Sequence, residues 1–130
     1  MSIVSRFLKP SGDDANGISI EAAQEQILTY LQAAGCEPGE SPLAGNSVSV
    51  DRNFIARDMH ALNEYLHYRT VDVSSIKELT RRWFPKAYFA APAKTGNHRA
   101  LGDIQDSIAE LAYYRQTVFM SPQNEGPTTA

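Results

Sequence analysis

A single cysteine, Cys36, stands among the 130 residues, so the chain cannot close an internal disulfide and suits a reducing, cytoplasmic compartment. It has no run approaching the roughly 18 apolar residues that cross a bilayer, and no membrane association is expected. Met1 to Pro10 offers too short an apolar stretch, and too early a proline, for a secretory signal. Bulk positive charge is also missing: the net charge of −3 argues against a protein that coats nucleic acid electrostatically. What remains, at 42% hydrophobic and 21% charged, is a globular composition with room for one ordinary domain.

The charge is unevenly spread. Residues 67–99 hold seven Lys or Arg against two acids, while residues 1–40 carry two basic and six acidic side chains. A basic island in an acidic chain suits a small anionic ligand better than a long polyanion, whose binding grows with the number of phosphates neutralised. A solvated basic surface is the other reading.

Turn formers dominate residues 1–18, and residues 120–130 form a polar, proline-containing tail, so disorder is expected at both ends. Between them Ser19 caps a helix whose apolar face is Ile20, Ala23, Ile27, Leu31 and Ala34, ended by Gly35. Leu43 to Ser47 reads as a short strand running into a turn. A second helix is expected from Asp51 to Leu66, with Ile55, Met59, Leu62 and Leu66 on one face. Arg69 to Val73 is a β-branched strand. Ser74 or Ser75 then caps a third helix through Trp83, and residues 85–97 form a long loop. The last helix runs from Arg99 to Phe119, with Leu101, Ile104, Ile108 and Leu111 as its core face. Strands alternating with helices predict an α/β fold with parallel strands, in a sheet too narrow to stand alone.

Asp51 opens a helix after the first strand. Asp72 lies in the second strand, and Asp103 sits in the first turn of the last helix, five residues after His98. Ligands of open α/β sheets collect beyond the carboxyl ends of the strands. Acidic oxygens converging there would suit Mg²⁺ or Mn²⁺, with His98 as base for a water, and two such ions could clamp a phosphodiester. The same His-x₄-Asp spacing also fits a helix cap and a solvated acid.

Three segments carry a resemblance. They are Leu43-Ala-Gly-Asn-Ser-Val-Ser-Val-Asp-Arg-Asn-Phe54, Leu66-His-Tyr-Arg-Thr-Val-Asp-Val-Ser-Ser-Ile-Lys-Glu-Leu-Thr-Arg-Arg-Trp83 and His98-Arg-Ala-Leu-Gly-Asp-Ile-Gln-Asp-Ser-Ile-Ala-Glu-Leu-Ala-Tyr-Tyr-Arg115. In this order they closely resemble the oligoribonucleases, 3′-to-5′ exoribonucleases of RNase H-like fold with a site of four acids and a histidine. The resemblance covers residues 19–119 and implies short RNA as substrate and a two-metal Mg²⁺ or Mn²⁺ site. It makes Asp51 and Asp103 metal-site carboxylates and His98 the general base. It also implies that Ser47, Arg69 and Ser74 contact the 5′ phosphate of a dinucleotide, and that Tyr68 reaches a neighbouring protomer's site, hence a homodimer. Asp72 is not a ligand in the family, and a structural hydrogen bond is expected of it.

His60 and His67 are read as surface or interface residues, and Trp83, Tyr113 and Tyr114 as core or interface aromatics. Lys77, Arg81, Arg82 and Lys86 fit either RNA steering or an exposed helix face. Gly102 stands where relatives commonly carry a second acid, and helical glycine costs about 1 kcal/mol relative to alanine. The family's opening strand, with an Asp-x-Glu pair, has no counterpart in these 130 residues. A partial exonuclease domain at 19–119 is therefore expected, with the opening strands of its sheet missing and an incomplete, weakly active or inactive metal site. The alternative function is a catalytically dead nucleotide-binding or dimerisation module that keeps the 5′-phosphate cap.

Overall fold

A computed structural model describes residues 17–94 and 100–120. The expectations of disordered ends fall outside the described residues, apart from Gly17, Ile18 and Met120, and so do the positions of His98 and Arg99.

Ser19 starts the first helix as anticipated. Its hydroxyl accepts the Ala22 N–H at 3.1 Å, and α1 runs Ile20–Ala33 with Glu21 in its first turn. Leu43–Gly45 (β1) and Thr70–Asp72 (β2) form a parallel pair in which Leu43 faces Thr70, Ala44 faces Val71 and Gly45 faces Asp72. The parallel α/β arrangement is thus as expected, with each strand two residues shorter than anticipated.

The stretch expected as one helix from Asp51 to Leu66 is two: α2 at Val48–Asp58 and α3 at His60–Tyr65. Met59 breaks them with φ −133° and ψ 67°, while its side chain is fully buried. The bend keeps Ile55, Met59 and Leu62 in one cluster with Ala23, against which Ile20, Ile27, Leu31, Leu43 and Leu66 pack. Burying each of these Ile, Leu and Met side chains contributes about 1.5–3 kcal/mol, so this cluster is what fixes α2. Arg52 ties the same elements together, giving Nε to Asn63 Oδ1 at 2.9 Å and a second nitrogen to the His67 carbonyl at 2.9 Å.

Beyond β2, α4 spans Val73–Trp83, and its cap is Asp72 rather than Ser74 or Ser75. The expected loop at 85–97 begins instead with a short helix, α5, at Pro85–Phe89. Pro85 occupies the first turn, where its lacking N–H costs nothing and its fixed φ is already helical. The last helix, α6, runs Ala100–Thr117 and packs on α4 and β1.

One expectation about the core fails. On α6 Leu101 and Ile108 are 51% and 65% exposed, while Ala100 and Tyr114 are the buried positions. Trp83, expected in the core or at an interface, is 67% exposed, so of the two only an interface place fits it. His60 is exposed and His67 half-buried, on either side of the end of α3 at Tyr65.

Candidate functional site

The carboxyl ends of the two strands lie side by side, and each feeds directly into a helix. After β1 the chain turns through Asn46 and Ser47 into α2; after β2, Asp72 opens α4. Ser47 adopts a left-handed backbone, φ 55° and ψ 42°, which is uncommon for a residue with a side chain. Hydrogen bonds hold it there. Its N–H donates to Asp72 Oδ1 at 3.0 Å and to Ser74 Oγ at 3.1 Å.

Asp72 Oδ1 also accepts the Ser74 N–H at 2.9 Å, so one carboxylate oxygen gathers both serines. The hydroxyls of Ser47 and Ser74, 27 positions apart in sequence, stand 3.5 Å from each other. Ser74 Oγ donates to Asn46 Oδ1 at 3.0 Å, and Asn46 Nδ2 donates to Ser107 Oγ on α6 at 2.7 Å. The structural hydrogen bond expected of Asp72 is present, and it is a double one.

Two helix amino ends therefore converge here, a setting that favours an anion. Asp72 already occupies the backbone N–H groups of Ser47 and Ser74, so an incoming anion meets hydroxyls.

Arg69 and Tyr68 lie at the opposite, amino end of β2. The Arg69 guanidinium sits 5.2 Å over the Tyr68 ring, and that ring stacks on His67 with centroids 4.6 Å apart. The Arg69 N–H donates to His67 Nδ1 at 3.0 Å, and Tyr68 is 74% exposed. The structure thus brings Ser47 and Ser74 together and stacks Arg69 on Tyr68, exposed, at the amino end of the same three-residue strand.

Asp51 is half-buried in the first turn of α2, four residues after Ser47. Asp103 is half-buried in the first turn of α6, four residues before Ser107. Each is one helical turn from a residue of the Asn46–Ser47–Ser107 connection. Among the described residues, no group of three His, Cys, Asp or Glu side chains could hold a metal ion. These donors by themselves do not fit a two-metal centre.

Sequence reasoning missed Asn46 and Ser107 as parts of this network. The Gly-Asn-Ser turn after a strand was the available signal for Asn46. Ser107 shows in the sequence only as the residue one turn beyond Asp103.

Elsewhere, Arg81 and Arg82 both bond Glu78, at 2.6 and 2.9 Å, and their hydrogen bonds hold its carboxyl down to about 2. The basic side chains of α4 are in part an exposed, internally paired helix face. A groove of about 440 Å³ between α5 and α6 is lined by Lys77, Tyr88, Phe89, Lys94, Glu110 and Tyr113, among others, and by none of the candidate phosphate-cap or metal-site residues. In it Tyr114 is buried, donates its hydroxyl to Glu110 Oε1 at 3.1 Å, and has its phenol pushed well above the usual range by burial and then by Glu110. Lys94 Nζ lies 3.1 Å from the other Glu110 oxygen. No described helix is long and apolar enough to cross a membrane.

Residues 9–111 match the family described as exonuclease. The chain is 61% identical over 106 residues to an oligoribonuclease of Streptomyces griseus, covering 82% of this chain and 53% of that protein. It is 56% identical over 116 residues to an oligoribonuclease of Streptomyces avermitilis, covering 89% of this chain and 58% of the relative. It is 53% identical over 116 residues to one of Mycobacterium sp. (strain KMS), covering 89% and 53%. The chain spans about half the length of the curated relatives it matches.

Proposed function

The chain belongs to the exonuclease family, on its oligoribonuclease branch, and from that premise we propose that it serves the 3′-to-5′ hydrolysis of very short RNA, dinucleotides above all. The observation that carries this reading is the pairing of Ser47 and Ser74, whose hydroxyls stand 3.5 Å apart where two parallel strands end and two helices begin. Hydroxyls at helix amino ends suit a terminal phosphate, and an arginine fork adds planar, charge-assisted bonds. Arg69 is the arginine of this reading; exposed, with its guanidinium lying over Tyr68, it has to swing from that ring to the serines as ligand binds. A cap on the 5′ phosphate fixes how much chain fits behind it, which is how a preference for dinucleotides arises.

Asp51 and Asp103 would contribute carboxylates to a Mg²⁺ or Mn²⁺ centre whose remaining ligands are not among the described residues. Such ions, when bound, supply charge for phosphodiester hydrolysis. His98 is the base that this reading assigns to the attacking water. Tyr68, exposed beside Arg69, would reach the site of a second protomer, which makes a homodimer part of the proposal. The free thiol of Cys36 fits a reducing cytosol.

The test is titration of the chain with a 5′-phosphorylated dinucleotide and with a long RNA. Arg69→Ala should weaken the dinucleotide at least about tenfold more than the long RNA. Equal loss on both would make Arg69 a general RNA contact and remove the cap from the account.

A further inference from the structure

The cap residues do not hold themselves in place. Ser47 carries a left-handed backbone, a conformation that costs a non-glycine residue free energy and persists only where its surroundings enforce it. Its side chain makes no capping bond to α2, so the local sequence does not supply that enforcement. What fixes Ser47 is its N–H, aimed at Asp72 Oδ1 at 3.0 Å and at Ser74 Oγ at 3.1 Å. Asp72 Oδ1 in turn caps α4 through the Ser74 N–H at 2.9 Å. One oxygen atom therefore sets both the distance between the two serines and the backbone twist that aims Ser47.

We propose that Asp72 is the positioning residue of the phosphate cap: by accepting the Ser47 and Ser74 N–H groups on a single oxygen, it presents the two hydroxyls to a terminal phosphate as a preformed pair. The proposal rests on the reading of Ser47, Ser74 and Arg69 as that cap. Asp72 itself touches no ligand in this scheme, because a carboxylate repels a phosphate, and its position as an acceptor is what matters. Charge and position make opposite demands, which gives the test its edge. If only the acceptor oxygen matters, an asparagine at 72 does the same work. If the carboxylate merely blocks N–H groups that would otherwise bind phosphate, removing it should improve binding.

The readout is the ratio of affinities for a 5′-phosphorylated dinucleotide and its unphosphorylated counterpart, measured by titration on the full chain. A purely structural role would lower both affinities together and leave the ratio unmoved. Asp72→Asn, which keeps an oxygen acceptor at the same reach and is an equally good helix cap, should hold the ratio within about threefold. Asp72→Ala should lower it about tenfold. Asp72→Ser guards against loss of folding. Its hydroxyl still caps α4, but its shorter side chain does not span to the Ser47 N–H, so the ratio should fall as in Asp72→Ala. An unchanged or increased ratio in Asp72→Ser, or in a folded Asp72→Ala, overturns the proposal. So does a tenfold loss in Asp72→Asn. Ser74→Ala and Arg69→Ala are the reference variants. If they lower the ratio and the Asp72 variants do not, the cap stands and the positioning role falls. If they leave the ratio unchanged, the cap reading fails and takes this inference with it.

Discussion

Truncating Ile55 to alanine tests where the core of this chain lies. Ile55 is fully buried on α2, one turn beyond Asp51, and packs with Ala23, Met59 and Leu62. Removing its outer carbons forfeits their transfer free energy and leaves a cavity among Ala23, Met59 and Leu62, at a cost of about 3–4 kcal/mol. A domain of this size holds only about 5–15 kcal/mol in total. With a urea slope of about 1.5 kcal/mol/M, the unfolding midpoint should fall by about 2 M. Ile55→Val should cost about 1 kcal/mol. Ile108, on the α6 face that sequence periodicity assigns to the core, is 65% exposed. Ile108→Ala should therefore cost less than about 1 kcal/mol. The assay is urea unfolding followed by circular dichroism at 222 nm, with the slope checked for constancy. Equal losses for Ile55→Ala and Ile108→Ala, or a larger loss for Ile108→Ala, would refute the placement of the core between α1, α2 and α3.

Other consequences follow from single contacts. Glu78 is held down to about 2 by Arg81 and Arg82; the resulting stability is fully present above the unfolded carboxyl's value near 4.5 and is lost as pH falls through about 2. Carboxyl NMR titration should find Glu78 protonating well below the ordinary carboxylate range, and Arg81→Ala should bring it back toward that range. Tyr114→Phe deletes the hydroxyl that donates to Glu110 Oε1, in a place where the Glu110 side chain is 9% exposed. The cost should be about 1–3 kcal/mol by thermal unfolding, and a neutral outcome would show Glu110 satisfied without it. The reading of Asp51 as a metal-site carboxylate predicts that Asp51→Asn lowers Mn²⁺-dependent hydrolysis of a 5′-labelled dinucleotide by at least about 10²-fold. Unchanged hydrolysis by that variant would reject Asp51 as a metal-site residue.

What the sequence disclosed, and what it withheld, follows from how far each signal reaches. Ser19 and the steps from Ile20 to Leu31 describe α1 because capping and periodicity are local. The β-branched run at 70–73 and the turn at Gly45-Asn46-Ser47 likewise locate both strands. The break at Met59 stayed hidden, since apolar residues at 55, 59, 62 and 66 keep the same spacing whether one helix carries them or two. Pro85 ends one helix and starts another, and only the second role was missed. The stripe on α6 shows that a helix has an apolar face, not that something covers it. The candidate site was legible as a set of residues through the resemblance, yet the meeting of Ser47 with Ser74 depends on parallel register between Gly45 and Asp72, a non-local fact. The double acceptance by Asp72 is of the same kind. An aspartate before a helix reads as a cap, and its second partner comes from the other strand.

The most direct test of the central claim, a 5′-phosphate cap at the joined strand ends, is an amide NMR map of the chain during titration with a 5′-phosphorylated dinucleotide and with its unphosphorylated counterpart. The account predicts that the backbone signals of Asn46, Ser47 and Ser74, with the side-chain amide of Asn46, move with the phosphorylated ligand. They should stay nearly still with the unphosphorylated one. Shifts confined to the groove around Tyr88, Lys94 and Tyr113, with Ser47 and Ser74 unmoved, would contradict it.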